Sequence, residues 1–154
     1  MVNRRLVREV ALQALYAFHQ GGDSLQHIID TVVSDHVKES KEARRFSEQL
    51  IFRTLEHEEE FNEIITKHAQ NWDINRLALI DRLCLKMALC EFLYFEEIPT
   101  KVTINEAIEI VKRYSTAKSG QFVNGILDAA LDELKKEDRI NKKGRGLIET
   151  STKK

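Results

Sequence analysis

The sequence predicts an all-α protein. Its 154 residues include one proline and six glycines, too few to separate the many short strands of a β-sandwich. Apolar residues instead recur at spacings of three and four, the pattern of a helix with one buried face. With 42% hydrophobic residues, the chain can supply one core of ordinary size. We therefore expect roughly six or seven helices in two small helical bundles, joined near Trp72.

Each expected helix carries its own stripe of apolar residues. The first stripe covers residues 7–18 and stops at Gly21 and Gly22. The second covers residues 25–33. Residues 43–72 carry two more, and the pattern leaves open whether they form one helix or two. The remaining helices are expected at residues 76–95, from residue 103 onward, and at residues 123–134.

Two of these helices have distinctive sequences. Fifteen of the twenty residues at positions 76–95 are apolar and they lie all round the helix, which is typical of the central element of a bundle. Its four interior charges, Asp81, Arg82, Lys86 and Glu91, argue against a membrane span. Further along, Thr103 and Glu106 have the spacing of a capping box, with Val102 and Ala107 placed as a hydrophobic staple. The next helix is therefore expected to begin at Thr103.

The charge of the chain changes near its end. Residues 135–154 contain eight basic and three acidic side chains and few apolar ones, a composition typical of a solvated extension. We expect one helical domain at residues 1–134, with sub-bundles at about 1–72 and 73–134, and a basic, disordered tail at 135–154 that is dispensable for folding.

The whole-chain composition excludes several classes of protein. With 24 Lys and Arg against 25 Asp and Glu, the net charge is −1, so any partner preference must come from local charge. Cys84 and Cys90 lie in the most apolar helix and are expected to be buried thiols in a reducing, cytoplasmic compartment. Arginines at positions 4, 5 and 8 interrupt the N-terminus before an apolar signal segment forms. Neither secretion nor membrane anchoring is expected.

The patterns of known catalytic and metal sites are missing. The five histidines form no H-x-x-x-H or H-E-x-x-H pair, and no glycine-rich phosphate loop or G-x-S-x-G turn occurs. Neither cysteine has a second cysteine at C-x-x-C spacing. The sequence therefore predicts no enzyme, no catalytic residues, no bound metal and no cofactor.

The first helix carries a candidate nucleic-acid surface. Arg5, Arg8 and Tyr16 fall on the face opposite the apolar stripe. Arginines at a helix N-terminus oppose the macrodipole at a cost of about 0.3–1 kcal/mol each. RNA gives a reason for them, since guanidinium groups pair with phosphates and tyrosine offers a stacking platform. An ordinary basic surface helix accounts for these residues equally well.

A second polar and aromatic group opens the last helix. Lys118, Gln121 and Asn124 can all hydrogen-bond nucleic acid, and Phe122 lies about 100° away from the apolar stripe that begins at Val123. An off-stripe Phe is more often an edge-of-core residue than a binding aromatic. The group therefore adds weak support for RNA binding.

Three blocks of this sequence resemble the NusB family of transcription antitermination factors. The first is RRLVREVALQALY at residues 4–16, and the second is Asp81-Arg82 ahead of LKMAL. The third and most specific block is IPTKVTINEAIE at residues 98–109, which runs on to KSGQFVNGILD at residues 118–128. The resemblance spans about residues 4–134 and leaves out the tail.

The resemblance implies an all-α protein that binds the boxA element of nascent RNA together with a small-subunit ribosomal protein, called NusE in this role. Within the transcription elongation complex, such a pair promotes read-through in ribosomal RNA operons. Asp81 is expected at the NusE surface. Lys118 occupies a position that is often acidic in relatives. The residues implied to contact RNA are Arg4, Arg5, Arg8, Tyr16, Lys118, Gln121, Phe122 and Asn124.

Two other interpretations remain open. In one of them, the chain is a helical protein–protein adaptor or homodimer scaffold without specific RNA binding, since some family members self-associate through the RNA-binding face. In the other, the chain is a NusB-like module of a ribosomal RNA methyltransferase. The length of 154 residues weakens this interpretation, because no residues remain for a cofactor-binding domain.

Overall fold

The protein is helical throughout the part of the chain that the structure describes. This computed structural model describes residues 3–34, 40–69 and 77–148. Within these ranges there are seven α-helices and no strand, which confirms the predicted fold class. The helices are α1 Arg4–Gln20, α2 Leu25–Ile28, α3 Lys41–Glu56, α4 Glu58–His68, α5 Leu79–Tyr94, α6 Thr100–Tyr114 and α7 Ala117–Lys136. A π-helical turn, Ile29–Val33, continues α2, and a 3₁₀ turn covers Gly144–Leu147.

The chain divides into two compact units, Met1–Glu56 and His57–Lys154. The division therefore falls after α3 and not near Trp72, which lies outside the described residues. The reason is the packing of α4. Its buried residues Phe61 and Ile65 belong to the helix that contacts α5 and α7, so the second half of the stretch at residues 43–72 joins the second unit.

In the first unit, α1 packs against α3 and against the π-helical turn. Because two partners cover α1, its buried face is broader than a single stripe. Leu12 and Arg8, which helical periodicity assigns to the exposed side, are both buried. The core also takes Val10 and Leu15 from α1 and Leu50 from α3.

In the second unit, α5 is the central helix, and α4, α6 and α7 all pack on it. Two of its interior charges, Lys86 and Glu91, are buried and partnered, as burial requires. Lys86 Nζ donates to Glu58 Oε2 at 2.6 Å, and Thr103 Oγ1 donates to Glu91 Oε1 at 2.6 Å. The expectation that α6 begins with a capping box at Thr103 is wrong. The helix begins at Thr100, one turn earlier, and Thr103 faces the core.

The residues after α7 do not have the character of a solvated extension as far as Ile148. Lys142 Nζ donates to the carbonyl oxygens of Glu91 and Phe95, at 2.9 and 2.7 Å. The backbone N–H of Lys143 donates to the Glu96 carbonyl at 3.1 Å. Gly146 is buried so closely against that carbonyl that a Cβ would overlap it. The sequence-based expectation of a disordered tail rested on composition, which carries no information about these backbone acceptors; residues 149–154 lie outside the described range.

Candidate RNA interface

The start of α1 is a cationic helix end without an acidic residue in its first turn. Asn3 caps it, because its Oδ1 accepts a hydrogen bond from the Leu6 backbone N–H at 3.1 Å. Arg4 and Arg5 occupy the first two helical positions and both are exposed. The macrodipole disfavours cations here. The end of the helix is therefore suited to receive anions such as phosphates.

Arg8 is not part of the exposed surface. Its side chain is buried at 4% relative exposure, and its guanidinium carbon lies 5.8 Å from the centre of the Phe46 ring. The guanidinium carbon of Arg4 lies over the same ring at 4.5 Å. Phe46 from α3 thus holds two cations by cation–π attraction. The expected exposure of Arg8 is wrong, because periodicity along α1 does not reveal the aromatic ring that α3 brings over it.

Tyr16 completes the group in the first unit. It is 39% exposed and follows Arg5 by eleven residues, which returns to nearly the same helical face about 16 Å along the axis. A tyrosine ring on that face offers a stacking surface in line with the arginines. Arg4, Arg5 and Tyr16 therefore form the exposed set that we call the α1 surface.

The start of α7 carries the second group, in the second unit. The Thr116 side chain caps the helix by accepting from the Ser119 N–H at 3.0 Å. At Gly120, a Cβ would lie 3.0 Å from the Lys112 side chain, so glycine permits α6 and α7 to pack closely. Lys118 and Gln121 are exposed, and Phe122 and Asn124 are half-buried.

An open groove of about 340 Å³ lies beside this helix start. Lys118, Gln121 and Phe122, three of the residues expected to contact RNA, meet there, whereas Asn124 does not line the groove. At Gly125 a Cβ would have no atom within 4 Å, so this side of the groove is open space. The groove is lined by His68, Lys118, Gln121, Phe122, Gly125 and Ile126.

His68 is a lining residue from outside α7 that the sequence did not single out. It is the last residue of α4 and reaches the groove from a different helix than the others. Its Nε2 lies 2.6 Å from Glu133 Oε1, and Lys67 donates to the other oxygen of the same carboxylate. Hydrogen bonds from Lys67 and then His68 lower the pKa of Glu133, and Glu133 in turn raises the pKa of Lys67. No local sequence pattern links residues 65 positions apart.

Asp81 is largely buried at the start of α5. It is 5% exposed, and its Oδ2 accepts a hydrogen bond from Ser119 Oγ at 2.8 Å. The expected position of Asp81 at the NusE surface stays a prediction. Asp81 ties the start of α5 to the start of α7, next to Lys118, and so fixes the helix turn that presents the groove residues.

A sequence model of the NusB family matches residues 5–132. The chain belongs to the NusB family. Among curated relatives, the transcription antitermination protein NusB of Salinibacter ruber is 48% identical over 152 residues, which cover 99% of this chain and 95% of the relative. That of Chloroherpeton thalassium is 40% identical over 154 residues, covering 100% of this chain and 73% of the relative. The family resemblance read from three sequence blocks is confirmed.

Solved structures agree with the NusB family assignment. The structure of T. maritima NusB matches with a TM-score of 0.77 at 36% identity and covers 86% of this chain and 92% of its own. A crystal structure of the antitermination factors NusB and NusE in complex with dsRNA matches with a TM-score of 0.76 at 27% identity, over 84% and 96% of the two chains. The fold of this chain is that of the NusB family.

Three further features of the described residues concern metal binding, the thiols and the hydropathy of the helices. Among the described residues, no cluster of three or more His, Cys, Asp or Glu side chains is arranged to hold a metal ion. Cys84 and Cys90 are buried, and burial, with a smaller effect from Asp81, raises the pKa of the Cys84 thiol to about 12. No described helix is long and apolar enough to cross a membrane.

Proposed function

We propose that this protein is a cytoplasmic, non-catalytic antitermination factor that binds boxA RNA together with the ribosomal protein NusE. Acting in the transcription elongation complex, the pair promotes read-through of ribosomal RNA operons. The observation that carries the proposal is the groove of Lys118, Gln121 and Phe122 in a member of the NusB family. A structural relative that is in complex with NusE and dsRNA supports it.

The groove and the α1 surface have the chemistry that single-stranded RNA requires. Lys118 supplies a cation for phosphate, Gln121 supplies an amide for base edges, and Phe122 supplies a ring for stacking. Arg4, Arg5 and Tyr16 offer phosphate pairing and stacking in the first unit. Arg8 and Asp81 act from within the two units as residues that shape these surfaces, since both are buried.

Titration of boxA RNA at several salt concentrations, with NusE present, tests the proposal. Phe122→Ala and Tyr16→Ala should each weaken binding by about 1–3 kcal/mol without changing the salt slope. Arg5→Ala should make the slope of log affinity against log salt concentration shallower by about 0.7, the value for one lost phosphate contact.

Matched controls come from α3. Arg45 is an exposed arginine and Phe52 is an aromatic ring that is 45% exposed. Arg45→Ala and Phe52→Ala should leave the affinity and the slope nearly unchanged. If the test variants bind like these controls, the protein–protein adaptor or homodimer becomes the better reading, and sedimentation with and without NusE then distinguishes those two.

A further inference from the structure

We propose that His68, oriented by Glu133, is an RNA-contact residue that selects an amino-bearing nucleobase in the groove. This inference rests on the proposed function and adds to it a specificity-determining residue and the class of base it recognises. His68 is not among the residues that the resemblance implies to contact RNA. It reaches the groove through the packing of α4 on α7.

The geometry holds the imidazole ring in place. The His68 side chain is 15% exposed, and its Nε2 is 2.6 Å from Glu133 Oε1. Lys67 engages Glu133 Oε2, so the carboxylate is itself held from a second side. A side chain fixed by such supporting contacts loses little conformational entropy when a ligand binds. His68 therefore lines the groove with a ring that is held in place before RNA binds. It comes from α4, whereas the other lining residues come from α7.

The pairing with Glu133 also determines what the ring offers to a ligand. A carboxylate accepts hydrogen bonds only, so Nε2 carries the proton that lies between them. In the neutral ring, Nδ1 is then an acceptor. When Nδ1 meets a base in the groove lined by Phe122 and Lys118, it pairs with a hydrogen-bond donor, and the exocyclic amino group of adenine, cytosine or guanine supplies one. A carbonyl at the same edge would face acceptor against acceptor.

The first test compares His68→Ala with Lys67→Ala in titrations of boxA RNA in the presence of NusE. Both residues contact Glu133, but only His68 lines the groove; Lys67 lines a separate depression with Asn62, Glu63 and Thr66. His68→Ala should weaken binding about tenfold, the effect of one lost base contact, and Lys67→Ala by less than about twofold at moderate salt. Equal affinities of His68→Ala and wild type would overturn the proposal.

Base discrimination provides a readout that a purely structural role of His68 would not change. Each adenine of the oligonucleotide is replaced by unsubstituted purine, and each cytosine by uracil. The affinity of wild type should fall about tenfold when the base at one position is replaced. His68→Ala should bind the original and the replaced oligonucleotide equally well. His68→Gln, whose amide can both donate to Glu133 and accept from a base, should retain part of it. A His68→Ala variant that binds weakly but keeps the full preference contradicts the proposal.

Glu133 is tested as a positioning residue by two substitutions. Glu133→Gln keeps an acceptor for Nε2, whereas Glu133→Ala removes it. We expect Glu133→Ala to bind more weakly than Glu133→Gln and to lose base preference. If both variants bind RNA more tightly than wild type, and to the same extent, Glu133 acts only through repulsion between its charge and the RNA phosphates. The positioning role is then refuted.

The two proposals fail in different ways. When Phe122→Ala weakens binding and His68→Ala does not, only the inference about His68 is lost. When neither variant changes the affinity, the groove is not an RNA site and the proposed function loses the observation that carries it.

Discussion

The ammonium group of Lys142 closes the C-terminal end of α5, and removing it tests whether the segment after α7 is part of the fold. Lys142 donates to the carbonyl oxygens of Glu91 and Phe95, which belong to the last turn of α5 and its C-cap. Lys142→Met keeps the apolar stem and deletes both hydrogen bonds. The helix then ends on acceptors without their charged donor.

The expected cost follows from these contacts. A hydrogen bond to a charged group contributes about 1.5–3 kcal/mol, and a cation at a helix C-terminus about 0.3–1 kcal/mol. Since one ammonium makes both bonds at a half-buried site, we expect a loss of about 2 kcal/mol in the free energy of unfolding. Lys143 is the matched control, because its ammonium group pairs with the exposed Glu96 side chain at 3.2 Å. Such surface pairs contribute about 0–1 kcal/mol.

Urea unfolding followed by helical circular dichroism measures both variants. Lys142→Met should unfold at a clearly lower urea concentration than wild type, and Lys143→Met at nearly the same concentration. Gly146→Ala should resemble Lys142→Met, because a Cβ there would displace the segment from the Glu96 carbonyl. If Lys142→Met and Lys143→Met are equally stable within about 0.5 kcal/mol, the segment is dispensable, as its composition had indicated.

Three further predictions concern other buried or paired groups. Arg8→Ala should lower the free energy of unfolding by about 1–2 kcal/mol, because the cation–π contact with Phe46 and the packing of the side-chain stem are lost. Arg5→Ala should leave the free energy of unfolding unchanged. Equal chemical denaturation curves for the two variants would contradict this prediction. Cys84, whose pKa burial raises to about 12, should not react with a thiol reagent at pH 8 until urea unfolds the protein, and rapid native labelling would contradict its burial. The pKa of the Glu133 carboxyl lies below its ordinary value of 4.5, because Lys67 and His68 hydrogen-bond to it. The ionised carboxylate therefore stabilises the fold above pH 4.5, and this stabilisation is lost as the pH falls through the lowered pKa. The stability difference between wild type and Glu133→Gln should therefore narrow below pH 4.5, and a constant difference from pH 7 to pH 3 would refute the link.

The candidate site was only partly predictable from the sequence. Residue types and helical periodicity pointed to the starts of α1 and α7, and the structure brings Lys118, Gln121 and Phe122 into one groove. The assignment of RNA as the ligand needed the family resemblance, since the same residues suit an ordinary basic surface.

Sequence alone determined the properties that depend on neighbours along the chain. Spacing of apolar residues fixed the all-α class, because periodicity depends only on neighbours along one helix. The expected start of the last helix at residue 123 is wrong, since α7 begins at Ala117 with a polar first turn that carries no apolar stripe. The resemblance over about residues 4–134 fixed the family.

Tertiary structure decided how much of each helix is covered, and by what. Periodicity gives the direction of a side chain around its own axis but not the number of helices that pack on that axis. Phe46 from α3 therefore buries Arg8, and Ser119 from α7 engages Asp81. Glu133 likewise orients His68 across 65 residues of sequence. These contacts join distant segments through packing, which no local pattern encodes.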